Sequence, residues 1–395
     1  MKKINLVTPL AILTIAFITI IMNAQLKLSG DEVTYIRKAL DPTFEDSIFL
    51  PGFSYILYLL EILAGDTISM RAGIAILNFS ILLLCIKNTD LKALKALWLI
   101  PLISPTYLYL MTSFWADSFS ALLLSYLMMR IKKSQINILI TILLSFLTII
   151  RPQYLIISPM ILIINWSKLP TSIRKKIFLI ILVITPSLTL SSLNYRAHSF
   201  FFPLTSPLSA QLYHHGEQEF IDLVTNKFSK YNFRTTEAYI IETASNLGIS
   251  TFEAKLLLEK RFASAPSSLS ADIYQNLETF FWSGRHQFLD RYITLQCANK
   301  DLDHCYFKQQ ETLLRGIETT IRVLFLLAIA YLLLKSLRFS AHSRQGLATF
   351  FLVFSVTTLA HVAGGNPTHG RYVFQLYPIL VATVCTISIR RRKSN

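Results

Sequence analysis

Ten times between residue 5 and residue 389 the chain returns to a predominantly apolar run of 14 to 22 residues, at 5–26, 66–86, 96–112, 114–130, 136–150, 153–166, 177–193, 316–335, 346–363 and 372–389. This recurrence constrains the fold more than any other feature, because a hydrocarbon layer about 30 Å thick is crossed by around 20 apolar residues of helix. With 53% hydrophobic and 15% charged residues among 395, the chain holds more apolar side chains than a single water-soluble core absorbs. Such cores stop growing at about 250 to 300 residues. An ordinary soluble enzyme is excluded on these grounds.

The runs predict an all-α integral membrane protein with about ten transmembrane helices and a helical extracytoplasmic cap. The members at 136–150 and 153–166 are short, and Arg151 and Pro152 between them predict a turn at the membrane surface. The stretch 50–64, opened by Pro51 and carrying Glu61, predicts an interfacial or re-entrant helix. Lys2 and Lys3 precede a run that is long for a secretory signal and lacks a clear small-x-small site, so it reads as an uncleaved first helix. Three regions follow. Residues 1–193 form an N-terminal transmembrane module whose first outer loop is 27–65, residues 194–315 the cap, and residues 316–395 a C-terminal transmembrane module.

The net charge of +15 would suggest a nucleic-acid partner in a soluble protein. Its placement says otherwise. With the N-terminus inside, the inner segments carry 19 Lys and Arg against a single anion, Asp90, whereas the loop 194–315 has 12 cations and 13 anions. Cytoplasmic loops hold the Lys/Arg excess, so the pattern predicts a multi-pass inner (plasma) membrane protein with both termini cytoplasmic and no nucleic-acid partner. Cys85 and Cys385 lie in apolar runs, which leaves Cys297 and Cys305 as the one candidate pair, bonded or free. Within the cap, Ser250 and Glu253 form a capping box ahead of an amphipathic helix, and Pro266 opens a helical stretch ending at Phe280, Phe281 and Trp282.

On this topology the unusual polar groups collect outside. Asp31 and Glu32 adjoin just past the first helix, with Tyr35 one turn on. Arg285 and His286 follow an aromatic cluster in the cap, His369 and Arg371 precede the last helix, and Asp117 and Arg151 stand at outer helix ends. Carboxylates and cations together at a lipid surface suit group transfer: a carboxylate takes a proton from an acceptor hydroxyl while Arg and His stabilise a departing phosphate. Each feature also has a plainer explanation. An acidic pair after a span caps a helix, Arg151 fits an interfacial turn, and Arg371 snorkels to headgroups. Adjacent His214 and His215 diverge on a helix and make a poor metal pair, and Glu318 with Arg322 reads as a structural ion pair. Two glycosylation-type triplets, at Asn78 and Asn165, fall in a helix and at the inner face and carry no information.

In order as well as in kind, these residues resemble the GT-C superfamily of polyprenyl-phosphate-sugar glycosyltransferases, which includes protein mannosyltransferases and lipid A aminoarabinose transferase. The resemblance rests on Asp31-Glu32 with Tyr35 at the outer end of the first helix, the Pro-containing LPGFSYILYLL segment, the Arg151-Pro152 turn, and Arg371-Tyr372 followed by Pro378 at the terminal helix. It departs where relatives often read His-Pro-Pro and this chain has Leu50-Pro51-Gly52, and where Asp117 replaces a common Glu.

The resemblance implies an inverting sugar transfer on the periplasmic face, with Asp31 as the base and Glu32 orienting or assisting it. Tyr35, Asp117, Arg151, Arg285, His286, His369, Arg371 and Tyr372 would contact substrates. The implied donor is a polyprenyl-phosphate-linked sugar, the acceptor a glycan, lipid or protein hydroxyl, and membrane lipid the surroundings. No organic cofactor is implied. Some relatives hold a divalent metal ion, for which no ligands are assigned here. An O-antigen-type polymerase and a lipid or sugar transporter are the competing expectations, the latter disfavoured because the unusual charges lie outside rather than near the bilayer midplane.

Overall fold

In the computed structural model the described residues are 7–23, 26, 28, 30–40, 50–198, 201, 212–213, 216–262, 287–297, 305–335, 341–363 and 372–388. They form eighteen α-helices, with three short 3-10 turns and no strand element among the described residues. The first nine are α1 (Val7–Asn23), α2 (Gly30–Leu40), α3 (Pro51–Ala64), α4 (Thr67–Lys87), α5 (Lys92–Lys95), α6 (Pro105–Thr112), α7 (Ala116–Lys133), α8 (Ile138–Thr148) and α9 (Tyr154–Ile164). They are followed by α10 (Ile173–His198), α11 (Gln218–Phe228), α12 (Phe233–Leu247), α13 (Thr251–Phe262), α14 (Gln287–Cys297), α15 (Tyr306–Gln309), α16 (Glu311–Lys335), α17 (Ala341–Ala363) and α18 (Tyr372–Ser388). Among the described residues, three segments are long and apolar enough to cross a membrane: Thr67–Lys87, Ile173–Arg196 and Glu311–Leu334.

The least apolar of the long helices is among the most buried. In α7, 14 of 18 residues are buried, including Ser118, Ser120 and Ser125. It packs against α4, α8 and α18, so its sides face protein, and its Ala and Ser positions let neighbouring helices approach closely. The peripheral α10 shows the opposite pattern, leaving Ile173, Ile177, Phe178, Ile181 and Leu188 exposed. An exposed apolar stripe on so long a helix suits contact with lipid tails.

One expected span is broken. The run 96–112 is not a continuous helix: two 3-10 turns, Ala96–Leu99 and Pro101–Ile103, precede α6. Pro101 and Pro105 explain the break, because each lacks the N–H that a continuing helix needs. Ser104 restarts the helix by accepting the Tyr107 N–H on its side chain. The turn expected at Arg151-Pro152 does separate α8 from α9.

Helices α11, α12 and α13 build a second, smaller core from Leu212, Phe220, Val224, Ile240, Ala244, Ala254, Leu258 and Phe262. The capping box ahead of α13 is formed as the spacing predicts. The Ser250 N–H and hydroxyl donate to Glu253 Oε2 at 3.0 and 2.8 Å, and the Glu253 N–H donates to Ser250 Oγ at 3.2 Å. The expected helical stretch from Pro266 to Trp282 and the pair His214-His215 lie outside the described residues. Helix α14 returns to the main core. There the Tyr292 hydroxyl and the Gln296 amide donate to Asn23 Oδ1 at the end of α1, at 3.3 and 3.0 Å. Cys297 and Cys305 form a disulfide with a Cα separation of 5.6 Å that ties α14 to the approach of α16, while Cys85 and Cys385 are free and buried.

Candidate functional site

The start of α2, the start of α3, the α6–α7 turn, the α8–α9 turn and the start of α18 converge at one end of the bundle. Glu32, in the first turn of α2, is fully buried. Its Oε1 lies 3.0 Å from Arg71 Nη1 of α4 and accepts the Phe114 N–H at 3.0 Å, while Oε2 accepts the Tyr109 hydroxyl at 3.2 Å. Arg71 is 1% exposed; it donates to the Leu26 carbonyl at 3.4 Å and lies 5.0 Å from the centre of the Phe114 ring. A carboxylate with both oxygens engaged by a cation and two donors is held in one orientation. These contacts anchor the start of α2, where Asp31 is the preceding residue.

Three residues after Phe114, Asp117 opens α7. Its Oδ1 lies 2.8 Å from Arg151 Nη2 of the α8–α9 turn and also accepts the Gln375 amide of α18. Gln153 donates to Gln375 Oε1 at 3.2 Å, which extends the network back to the α8–α9 turn. Asp117 Oδ2 is buried and meets no hydrogen-bond donor among the described residues. Buried polar atoms are ordinarily satisfied, so an open acceptor beside an arginine marks a place where a water or a ligand hydroxyl fits.

The glycine of LPGF has a steric cause. The Gly52 N–H donates to the Ile149 carbonyl at 2.8 Å, and a Cβ at Gly52 would come within 2.7 Å of that same oxygen. Helix α3 can therefore begin directly against the α8–α9 turn that carries Arg151. Its far side leaves Tyr55, Tyr58, Leu59, Ile62 and Leu63 exposed, an apolar face of the kind that lies in a membrane interface.

Of the ten residues expected at the site, the structure brings Glu32, Asp117 and Arg151 into this end of the bundle. Tyr35 lies in the core beside this site. It is 1% exposed and packs edge-on against Phe53 with ring centres 5.5 Å apart. Asp31 is on α2 and Tyr372 begins α18, but their side chains lie outside the described residues, as do Arg285, His286, His369 and Arg371 entirely. Glu318 accepts the Ser104 hydroxyl at 2.7 Å and the Thr106 N–H at 3.0 Å. One turn on, Arg322 lies 5.2 Å from the Phe374 ring centre. Arg71, Tyr109, Gln153 and Gln375 were not singled out from sequence. Arg71 had a usable signal, as a lone cation inside an apolar run.

Among the described residues no three His, Cys, Asp or Glu side chains come together as a metal site. Glu32 and Asp117 each face an arginine already, so the described donors do not fit a divalent ion. Compared with known proteins, the chain matches no family model, no curated sequence and no solved structure.

Proposed function

We propose that this chain is a membrane glycosyltransferase that moves a sugar from a polyprenyl-phosphate donor to a hydroxyl acceptor on the extracytoplasmic face. About ten helices cross the bilayer, both termini are cytoplasmic, and the cap of residues 194–315 lies outside. The convergence of the acidic start of α2 with the Asp117–Arg151–Gln375 network at one end of the bundle is the observation that carries the proposal. It joins residues far apart in sequence at the end opposite the basic segments, where Lys133 of α7 meets Asp90 beyond α4. The Cys297–Cys305 disulfide supports the same orientation, because disulfides persist in oxidising compartments.

The chemistry follows from the residues. Asp31 removes the proton of the acceptor hydroxyl as that oxygen attacks the anomeric carbon. The bond from that carbon to the phosphate oxygen breaks, and its electron pair leaves with the phosphate. Attack from the opposite side inverts the configuration. Arg285, His286, His369 and Arg371 hold the phosphate and sugar, so its developing charge is stabilised and no separate acid is required. Glu32 and Arg71 fix the start of α2, and the free acceptor of Asp117 takes a sugar or acceptor hydroxyl.

Mass spectrometry of the host's envelope glycans with and without the protein tests the class. A difference of one sugar residue is expected. Shortened chains of otherwise intact repeat units would instead identify a polymerase, and lipid or sugar movement in proteoliposomes with no glycan product would identify a transporter.

A further inference from the structure

At the end of the bundle away from that network, a cleft opens between α7, α9, α17 and α18. Its lining includes Lys132, Lys168, Asn165, Gln345, Thr349 and Thr386. Lys132 is near the end of α7, and Lys168 follows α9 and donates to the Lys132 carbonyl at 3.2 Å. That bond brings the two ammonium-bearing residues to one wall. The opposite wall is the beginning of α17, whose helix dipole puts its positive end here. Gly346 lets the two facing helices close up, since a Cβ there would come within 3.1 Å of Thr386 Oγ1.

Charge at this end is one-sided. The segments that meet here hold Arg130, Lys132, Lys133, Lys168, Arg174, Lys175 and Lys176, and the single acidic residue near them, Asp90, is engaged by Lys133 at 2.5 Å. The cleft is partly open to its surroundings and the room inside it is about 20 Å³, space for about one water. A guest therefore inserts one or two oxygens and keeps its bulk outside. That size and charge select a phosphate oxyanion borne on something larger. Basic clefts between membrane helices hold anionic headgroups in this way. Exposed Trp166, with the Lys176 ammonium 4.4 Å from its ring centre, adds an interfacial anchor nearby.

We infer that this cleft is a binding site for the phosphate of an anionic phospholipid, with Lys132 and Lys168 as its cationic contacts and the acyl chains remaining in the adjoining leaflet. The site is separate from the proposed transfer chemistry and does not depend on it.

The test is native mass spectrometry of the purified full-length protein titrated separately with phosphatidylglycerol, phosphatidylcholine and inorganic phosphate. Phosphatidylglycerol should bind in preference to the zwitterionic lipid. The Lys132→Gln/Lys168→Gln variant should bind it about 30-fold more weakly, as two lysines near a charged headgroup contribute. Lys132→Arg/Lys168→Arg should retain most of the binding, and Lys92→Gln/Lys95→Gln, which removes the same charge elsewhere on this end, should leave it near the parent value. Equal losses in both Gln variants would reduce the effect to general charge and overturn the site. Binding of inorganic phosphate without phosphatidylglycerol would overturn the lipid assignment. A shared melting temperature among the variants shows that any loss is local.

Discussion

Arg71 on α4 and Glu32 on α2 meet at 3.0 Å with both side chains almost wholly withdrawn from solvent. They lie 39 positions apart in sequence, and the pair ties the start of α2 to α4. Removing one partner of a buried pair leaves an uncompensated charge and costs about 3–5 kcal/mol. Arg71→Met should therefore lower the melting temperature of the purified protein sharply. Glu32→Gln/Arg71→Met should recover a large part of that loss, because neither charge is then left alone. Additive losses in the double variant would show that the two side chains do not interact.

The Asp117–Arg151 pair predicts a different balance. Gln375→Leu removes one donor from Asp117 Oδ1 and the acceptor of the Gln153 amide but leaves the arginine in place, so its cost should be about 1–3 kcal/mol, the scale of a buried polar group left unpaired. Arg151→Gln should cost more. Thermal melts of the two variants check the order, and equal costs would mean that Arg151 contributes no charge stabilisation to Asp117.

Gly52 should not tolerate a methyl group. Its missing Cβ would sit 2.7 Å from the Ile149 carbonyl oxygen, which is backbone and cannot swing aside. Gly52→Ala should cost about 1–3 kcal/mol as α3 is pushed off the α8–α9 turn. A melting temperature equal to that of the parent would contradict the close approach.

The disulfide closes a short loop, with Cys297 and Cys305 eight positions apart. The chain-entropy estimate for so small a ring is about 2–3 kcal/mol. Cys297→Ser/Cys305→Ser should lower the melting temperature accordingly. Thiol labelling under denaturing, non-reducing conditions should count two thiols in the parent, Cys85 and Cys385. Four labelled thiols in the parent would show that the bond is absent.

Acid should weaken the cap through Glu253. The Ser250 backbone N–H and then its hydroxyl hold the Glu253 carboxyl below its ordinary value of 4.5. The folded form therefore binds the proton less readily than the unfolded form. The resulting stabilisation is complete above about pH 4.5 and is lost as pH falls through the lowered value. Ser250→Ala should reduce protection of α13 amides from hydrogen exchange at neutral pH, and the difference from the parent should shrink in acid. A pH-independent difference would contradict the carboxylate's part in the cap.

Much of this architecture is legible in the sequence, for a physical reason. A helix satisfies its own backbone within one continuous segment, so a long apolar run is signal enough, and α4, α7, α10, α16, α17 and α18 fall where the runs fall. Ser250 and Glu253 are three apart, within reach of local chemistry. The Pro101 and Pro105 interruptions of 96–112 were present in the letters but outweighed by the hydropathy around them. What the sequence could not supply are partnerships across helices. Nothing local joins Glu32 to Arg71, or Gln375 to Asp117 at a separation of 258 residues, and nothing local marks Tyr35 as a ring that packs on Phe53.

The most direct measurement is sugar transfer by Asp31→Asn, assayed with a polyprenyl-phosphate donor alongside the amount of protein inserted and its melting temperature. The exchange keeps size and removes the base, so transfer should fall by about 10²–10⁴-fold, the usual contribution of a positioned general base, while insertion and melting stay at parental values. Parental transfer by Asp31→Asn would contradict the account at its centre.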